Sequence, residues 1–284
     1  MPAKPNRDLT RYYDLLHVWS RVNRGYRAFS GLEANAIHRW LVDPETGDFS
    51  PQTIHTLMLA AGIEGLQPVR ALDAGCGYGG TMLALHAALG GRWHGITITA
   101  SQCVVGRKAA LRKGVADSVT FANASYDDPL AERFNLVYGI ESLIHSPDPA
   151  VTIDNLAGAL DAGGLFLIVD DMPVDAVPEA YAGDLAQFQR MWRCPVMPSA
   201  SQWSAHLATA GCETIEVRDL SPLMRPRSEP EIAQALVEVS GRRRWRDRLG
   251  LKRIGEAETG GLLLERLGRE GIVPYVMIVA RKRA

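Results

Sequence analysis

The chain has 284 residues, of which 46% are hydrophobic, and a formal net charge of −1. That length and apolar content suffice for one large domain, or one domain with a lid. A charge this close to zero disfavours a general nucleic-acid binder, and no apolar run approaches the roughly 20 residues needed to span a bilayer. Met1-Pro-Ala-Lys-Pro-Asn-Arg7 lacks the apolar core of a secretory leader, and the cysteines Cys76, Cys103, Cys194 and Cys212 lack CxxC spacing. The expectation is a cytoplasmic protein with reduced thiols and no metal site.

The first fifty residues precede the sheet. Leu9–Leu16, Trp19–Tyr26 and Glu33–Leu41 have helical periodicity, broken near Gly25 and at Ser30-Gly31. Tyr12, Tyr13, Trp19, Tyr26, Phe29 and Trp40 make this stretch aromatic in a chain that is 7% aromatic overall. Such a stripe packs a cap on the domain, or closes over a substrate.

From residue 51 helices and strands alternate. A helix over Pro51–Ala61 precedes a strand over Val69–Leu72. The helix containing Met82–Leu89, a strand over Trp93–Thr97 and a helix over Ser101–Arg112 follow. Next come strands over Val119–Asn123 and Phe134–Tyr138, a helix over Asp148–Leu160 and a strand over Gly164–Asp170. This alternation predicts a doubly wound parallel sheet, in which ligands collect at the carboxyl ends of the strands. The turn after Leu72, Thr97, Ala124-Ser125 and Tyr138-Gly-Ile-Glu141 all lie at such ends.

After Asp171 the pattern changes. Pro173, Pro178, Pro195 and Pro198 surround one helix, Tyr181–Met191. Ser201–Ala210 is another, and Glu213–Arg218 alternates like a strand. Helical stretches over Glu229–Val239 and Ile254–Arg269 then intervene before a final strand, Ile272–Arg281. The predicted division is a helical cap over 1–50, a ligand-binding core over 51–171, and a remainder over 172–284. That remainder completes the sheet and adds helical lid insertions at about 173–200 and 221–270.

The chain is organised around Val69-Arg-Ala-Leu-Asp-Ala-Gly-Cys-Gly-Tyr-Gly-Gly80. Its glycines let backbone approach a ligand closely and leave N–H groups of a helix start facing it. Gly75-x-Gly77-x-x-Gly80 matches the dinucleotide fingerprint, but Asp73 would repel a pyrophosphate and attract the ammonium of an amino-acid tail. The acid expected about 20 residues further on is missing as well. In its place the next strand ends in threonines, followed by Ala100-Ser-Gln102.

Leu72-Asp-Ala-Gly-Cys-Gly-Tyr-Gly79 resembles motif I of the class I S-adenosylmethionine (SAM) dependent methyltransferases. Gly95-Ile-Thr97-Ile98-Thr-Ala-Ser-Gln102 resembles the second-motif variant of the cyclopropane-synthase and sterol C-methyltransferase branches, where a glutamine replaces the ribose-binding acid. The resemblance implies an α/β Rossmann-like fold: a seven-stranded, mostly parallel sheet with an antiparallel last strand, and a helical lid. It implies SAM as cofactor and S-adenosylhomocysteine (SAH) as product. Asp73 would sit near the methionine ammonium, with Ala74, Gly75 and Gly77 against the methionine part. Thr97, Ile98 and Gln102 would lie on the ribose side and Ala124 and Ser125 at the adenine edge, with Tyr138 also among the cofactor-binding residues. For Cys76 a small side chain suffices.

Tyr138-Gly-Ile-Glu141-Ser142-Leu-Ile-His145-Ser-Pro147 resembles a Tyr-x-Ile-Glu-x-x-x-His-x-Pro segment of sterol C-methyltransferases. Methylating an alkene carbon makes a carbocation, which needs a base and a stabilising carboxylate or aromatic face. Glu141 is the candidate stabiliser or base and His145 the alternative base. Four residues apart, they share a face if the segment is helical. Ile37-His38-Arg39-Trp40 loosely resembles the Ile/Met-His-x-Gly-x-Trp segment of sterol- and tocopherol-type enzymes, departing from it at Arg39-Trp40. On that basis Tyr26, His38 and Trp40 are candidate substrate contacts.

Arg242-Arg-Arg-Trp-Arg-Asp-Arg248, with Arg225 and Arg227 upstream, is the main basic concentration. It reads either as a solvated helix face or as a bidentate grip, centred on Arg225 and Arg227, for an anionic group such as a diphosphate. Magnesium is expected only with a diphosphate, and no acidic triad announces it; Asp170-Asp171 is the candidate pair.

The preferred expectation is C-methylation of an isoprenoid-type small molecule, with O- or N-methylation of a natural product or amine as the alternative. A nicotinamide-dependent oxidoreductase and a non-catalytic SAM-binding module are the rivals from other classes. Nucleic-acid methylation is disfavoured, because Ile140-Glu141-Ser142 stands where an Asn/Asp-Pro-Pro-Tyr/Phe motif would be. Leu262–Leu264 and Ala233–Val239 would equally serve a homodimer.

Overall fold

A computed structural model describes residues 8, 10, 12, 38–248 and 252–284, with the backbone alone for 243–248. Asp8, Thr10 and Tyr12 are helical. Most of the helices expected over 9–41, and with them the candidate Tyr26, lie outside the described residues. Leu41, expected to end a helix, instead opens a hairpin: β1 (Leu41–Val42) pairs antiparallel with β2 (Phe49–Ser50). The Asp43 carboxylate accepts the N–H groups of Glu45 and Thr46 at 2.9 and 3.0 Å, which folds the chain back before a helix can propagate.

The remaining elements follow in chain order: α1 (Thr53–Ala60), β3 (Arg70–Ala74), α2 (Gly80–Leu89), β4 (Arg92–Thr97), α3 (Ala100–Arg112), β5 (Val119–Asn123), β6 (Phe134–Ile140), α4 (Pro149–Gly158), β7 (Leu160–Asp171), α5 (Glu179–Trp192), α6 (Ala200–Thr209), β8 (Cys212–Asp219), α7 (Glu229–Arg248), α8 (Lys252–Arg269) and β9 (Tyr275–Lys282). Seven strands form one sheet in the order β5-β4-β3-β6-β7-β9-β8. All neighbours from β5 to β7 are parallel, and β9 runs antiparallel between β7 and β8, as expected for the last strand. The chain leaves β3 for β4 and β5 on one side and returns to β6 and β7 on the other. The crevice of the sheet is therefore at the carboxyl ends of β3 and β6.

Both faces of the central strands β3, β6, β7 and β9 are buried, which is why these read as apolar runs, whereas the edge strand β8 alternates. On β7, Leu165, Leu167 and Val169 join one core with Met58, Trp93 and Met277, while Phe166 and Ile168 join the other with Leu72, Val137 and Trp203. A third cluster, including Ile144, Phe188, Leu263, Leu264 and Leu267, packs α5 and α8 beside the carboxyl end of the sheet.

β3 runs two residues further than expected, so Asp73 lies inside the ladder, opposite Gly95 on β4 and Tyr138 on β6. The chain then turns sharply into α2 through Gly75, Gly77 and Gly79, with φ of +94°, +53° and +79°. At Gly79 a Cβ would also meet the Phe121 ring at 2.4 Å. The left-handed backbone and the overlap together predict that Gly79→Ala loses about 2–4 kcal/mol of stability. An unshifted urea midpoint would contradict this.

Candidate active site

The glycine turn is tied to the next strand. The N–H groups of Gly75 and Cys76 both donate to the Ile96 carbonyl, at 2.9 and 3.0 Å, and Gly79 N–H donates to Cys76 O at 2.8 Å. These three donors hold the turn itself and are distinct from the N–H groups of the first turn of α2, which begins at Gly80. What the turn offers instead is room: nothing lies within 4 Å of where a Gly77 Cβ would stand.

Beside that room is Asp73, which is 4% exposed. Tyr138 Oη–H donates to its Oδ2 at 2.9 Å, and no guanidinium or ammonium among the described residues pairs with it. Burial outweighs this hydrogen bond and pushes the carboxyl pKa up to about 7. The Cys76 thiol is pushed well above its ordinary value, first by burial and then by the Asp73 charge, and stays neutral. A buried carboxylate without a cation, next to an open glycine cradle, suits the ammonium end of an amino-acid moiety.

At the end of β4, Thr97 Oγ1–H donates to Gln102 Oε1 at 2.7 Å and accepts Thr99 N–H at 3.2 Å. With its oxygen engaged, Gln102 has its amide hydrogens to offer to a ligand's hydroxyls. Thr99 Oγ1 is buried without a partner in the same turn. Ile98, Ala124 and Ser125 are half-buried there. Ala124 N–H bonds Thr97 O at 3.1 Å, and Ser125 Oγ–H bonds Asp127 Oδ2 at 3.0 Å. The sequence-expected cofactor residues thus gather along the ends of β3, β4 and β5.

The second half of the site is acidic. Glu141 follows β6 with φ of +49°, a strained left-handed conformation for a side chain of its size. Its Oε1 accepts both Arg39 N–H, at 2.7 Å, and Tyr275 Oη–H, at 2.9 Å. The Arg39 guanidinium forks onto Asp171 at 2.6 and 2.7 Å and lies 4.8 Å from the Tyr275 ring centroid. Burial, and then the Glu141 charge, raise the Asp171 carboxyl against Arg39, which lowers it; the result is about 6. Asp170 Oδ2 and Oδ1 accept the N–H groups of Ile144 and Asp171, both at 3.0 Å, and burial pushes this carboxyl well up.

His38 is 8% exposed. Its Nδ1 lies 3.2 Å from Arg39 O, which only accepts, so Nδ1 carries the hydrogen and Nε2 the lone pair. Nε2 is buried without a partner among the described residues. Burial lowers the imidazole pKa, and the Glu141 charge works in the other direction. The His38 ring meets His55 edge-on at 5.6 Å, and His55 Nε2 is 3.4 Å from Thr81 Oγ1 at the start of α2. His38 therefore lies between the start of α2 and the acidic half.

Other expected contacts fall elsewhere. Glu141 and His145 do not share a helical face, because only a 3-10 turn over Leu143–His145 forms between the strained Glu141 and α4. His145 Nδ1 is 3.3 Å from Arg193 O and 3.7 Å from Cys194 Sγ, and burial drops its pKa to about 4. Trp40 packs on Phe49 at 5.7 Å with its indole N–H buried and unpartnered. Arg225 lies over the same Phe49 ring at 5.2 Å, and Arg227 chelates Glu265. Arg242 pairs with Glu238; the side chains of 243–248 lie outside the described residues. No group of three or more metal-ligating side chains occurs among the described residues. Arg39, Tyr275 and His55 carry no sequence signal of their own, and the structure brings them to this end of the sheet.

The model of the family described as "Methyltransferase domain" matches residues 71–164. The O-methyltransferase resE of Aspergillus sclerotiorum is 31% identical over 186 residues, covering 60% of this chain and 68% of that protein. The chain belongs to the class I SAM-dependent methyltransferases. The enzyme is also similar to the 27-O-demethylrifamycin SV methyltransferase of Amycolatopsis mediterranei, 28% identical over 73% of this chain and 79% of the relative. Its fold matches the geranyl diphosphate C-methyltransferase of Streptomyces coelicolor A3(2) with a TM-score of 0.67 at 16% identity, over 99% of this chain and all of that one. The nicotinamide alternative falls with this assignment. No described helix is long and apolar enough to cross a membrane.

A carboxyl that binds its proton more tightly folded (about 7) than unfolded (3.8) stabilises the fold fully below the lower value. It loses that contribution as pH rises through the higher one. The free enzyme should thus lose on the order of a few kcal/mol between pH 4 and 7 through Asp73, a loss that Asp73→Asn abolishes. Denaturant melts across this range check it; an identical slope in the variant would contradict it.

Proposed function

We propose that this SAM-dependent small-molecule methyltransferase acts on a hydroxyl oxygen of a largely apolar acceptor, with His38 taking the hydroxyl proton. One observation carries the reading: His38 Nε2 is buried, has no partner among the described residues, and is made the lone-pair nitrogen by the bond from Nδ1–H to the Arg39 carbonyl. Burial keeps the ring neutral, and the Glu141 charge favours the imidazolium that forms when the proton moves from the acceptor O–H to Nε2. SAM, when bound, supplies a methyl group on an activated sulfonium, so alignment and proton removal are the protein's share.

On this reading Asp73 faces the ammonium, Ala74, Gly75 and Gly77 line the methionine part, and Tyr138 supports Asp73. Thr97, Ile98 and Gln102 serve the ribose, and Ala124 and Ser125 the adenine edge. Helices α5, α7 and α8 act as the lid. The O-methyltransferase relatives support oxygen as the acceptor atom. The ion pairs Arg39–Asp171 and Arg227–Glu265 withdraw two guanidinium groups from any grip on a diphosphate.

A second reading, C-methylation of an alkene with Glu141 as base, is favoured by one feature. Glu141 Oε2 receives no hydrogen bond among the described residues, while Oε1 receives two. Magnesium belongs to that reading alone, and only with a diphosphate acceptor.

With radiolabelled SAM and a panel of phenols and secondary alcohols, His38→Gln should lower kcat by about 10²- to 10⁴-fold. Calorimetric affinity for SAH should stay within about twofold. Full turnover in His38→Gln, with loss in Glu141→Gln, would replace the first reading by the second.

A further inference from the structure

Two acid–base groups lean on a single residue. Arg39 N–H donates to Glu141 Oε1 at 2.7 Å, and Arg39 O accepts from His38 Nδ1 at 3.2 Å. The carboxylate and the imidazole thus bond to the N–H and the carbonyl of the same residue, at the junction between the N-terminal segment and β1.

That residue has no place in the sheet, so something else must hold it. Its guanidinium forks onto both oxygens of Asp171, which is 4% exposed, and lies over the Tyr275 ring. Asp171 ends β7 and Tyr275 begins β9, and the two are directly paired in the antiparallel ladder. Tyr275 Oη–H returns to the same Glu141 oxygen that Arg39 N–H holds. The anchor is therefore a rigid strand pair, and the fork plus the ring face leave the guanidinium one orientation. Buried ion pairs of this kind contribute little net stability compared with apolar packing, and their best-supported use is to fix geometry.

We propose that Arg39 is the positioning residue of the site: clamped by Asp171 and Tyr275, it sets the tautomer of His38 and the orientation of Glu141 through its own peptide groups. This rests on the reading of His38 as the base. Without the clamp, Arg39 O and N–H move together, Nδ1–H loses its acceptor, and His38 divides between two tautomers, one of which puts the hydrogen on Nε2 and cannot accept a proton there.

The test uses the full chain with ¹⁵N-labelled histidine, the His38 signals being assigned by their loss in His38→Gln. Wild type should show one neutral tautomer with hydrogen on Nδ1. Arg39→Gln should show a mixture of tautomers, with kcat on the acceptor panel down about 10²-fold and SAH affinity within about twofold. Arg39→Lys should not rescue, since an ammonium is a point charge without a fork. If Arg39→Gln does not fold, Asp171→Asn preserves volume, breaks the fork and should give the same mixture. A single Nδ1–H tautomer in both variants, or full rescue by lysine, would overturn the positioning role. The base reading fails separately, if His38→Gln keeps full turnover.

Discussion

The site depends on how buried negative charge is compensated. Asp73, Glu141, Asp170 and Asp171 converge at the carboxyl ends of β3, β6 and β7, three of them almost wholly removed from water. In a low-dielectric interior each must be paired, hydrogen-bonded or protonated. Asp171 is paired with Arg39, Asp170 takes two backbone N–H groups and is held toward its protonated form, and Glu141 accepts two donors on one oxygen. Asp73 has a tyrosine hydroxyl and, among the described residues, no cation. The folded chain thus leaves a carboxyl unpaired beside the glycine turn, held toward its protonated form, where the cationic end of an amino-acid moiety is the fitting complement.

The sheet topology sets this arrangement. Because β3 lies between β4 and β6, Asp73 is flanked by two strands and buried from both sides, while the turn after it opens onto the crevice. Because β9 is inserted antiparallel between β7 and β8, its first residue, Tyr275, comes to the same end of the sheet as the last residue of β7. That inversion is what lets a residue late in the chain meet Glu141 and Arg39. The acidic half of the candidate site therefore draws on residues from near both ends of the sequence, Arg39 and Tyr275, as well as from its middle.

The glycine-turn half of the candidate site was legible because it is local. Asp73, the glycines and Gln102 lie within thirty residues of one another, and a strand–turn–helix pattern places them without knowledge of the rest. The acidic half was not. Arg39, Asp171 and Tyr275 are separated by more than a hundred residues, and nothing in their neighbouring sequence marks them as partners. The pairing expected of Glu141 with His145 failed for a local reason: the segment turns through a left-handed residue into a 3-10 turn rather than an α-helix. The β1–β2 hairpin was masked by helical periodicity that its Asp43 turn overrides.

The most direct measurement is the proton count on cofactor-product binding. SAH should be titrated calorimetrically at pH 6 in buffers of differing ionisation heat, with Asp73→Asn in parallel. Because the free Asp73 carboxyl is raised to about 7, an arriving ammonium should drive its proton off. The account predicts release of about one proton per bound SAH in the wild type and almost none in the variant. Binding without proton release, or equal release from both proteins, would contradict it.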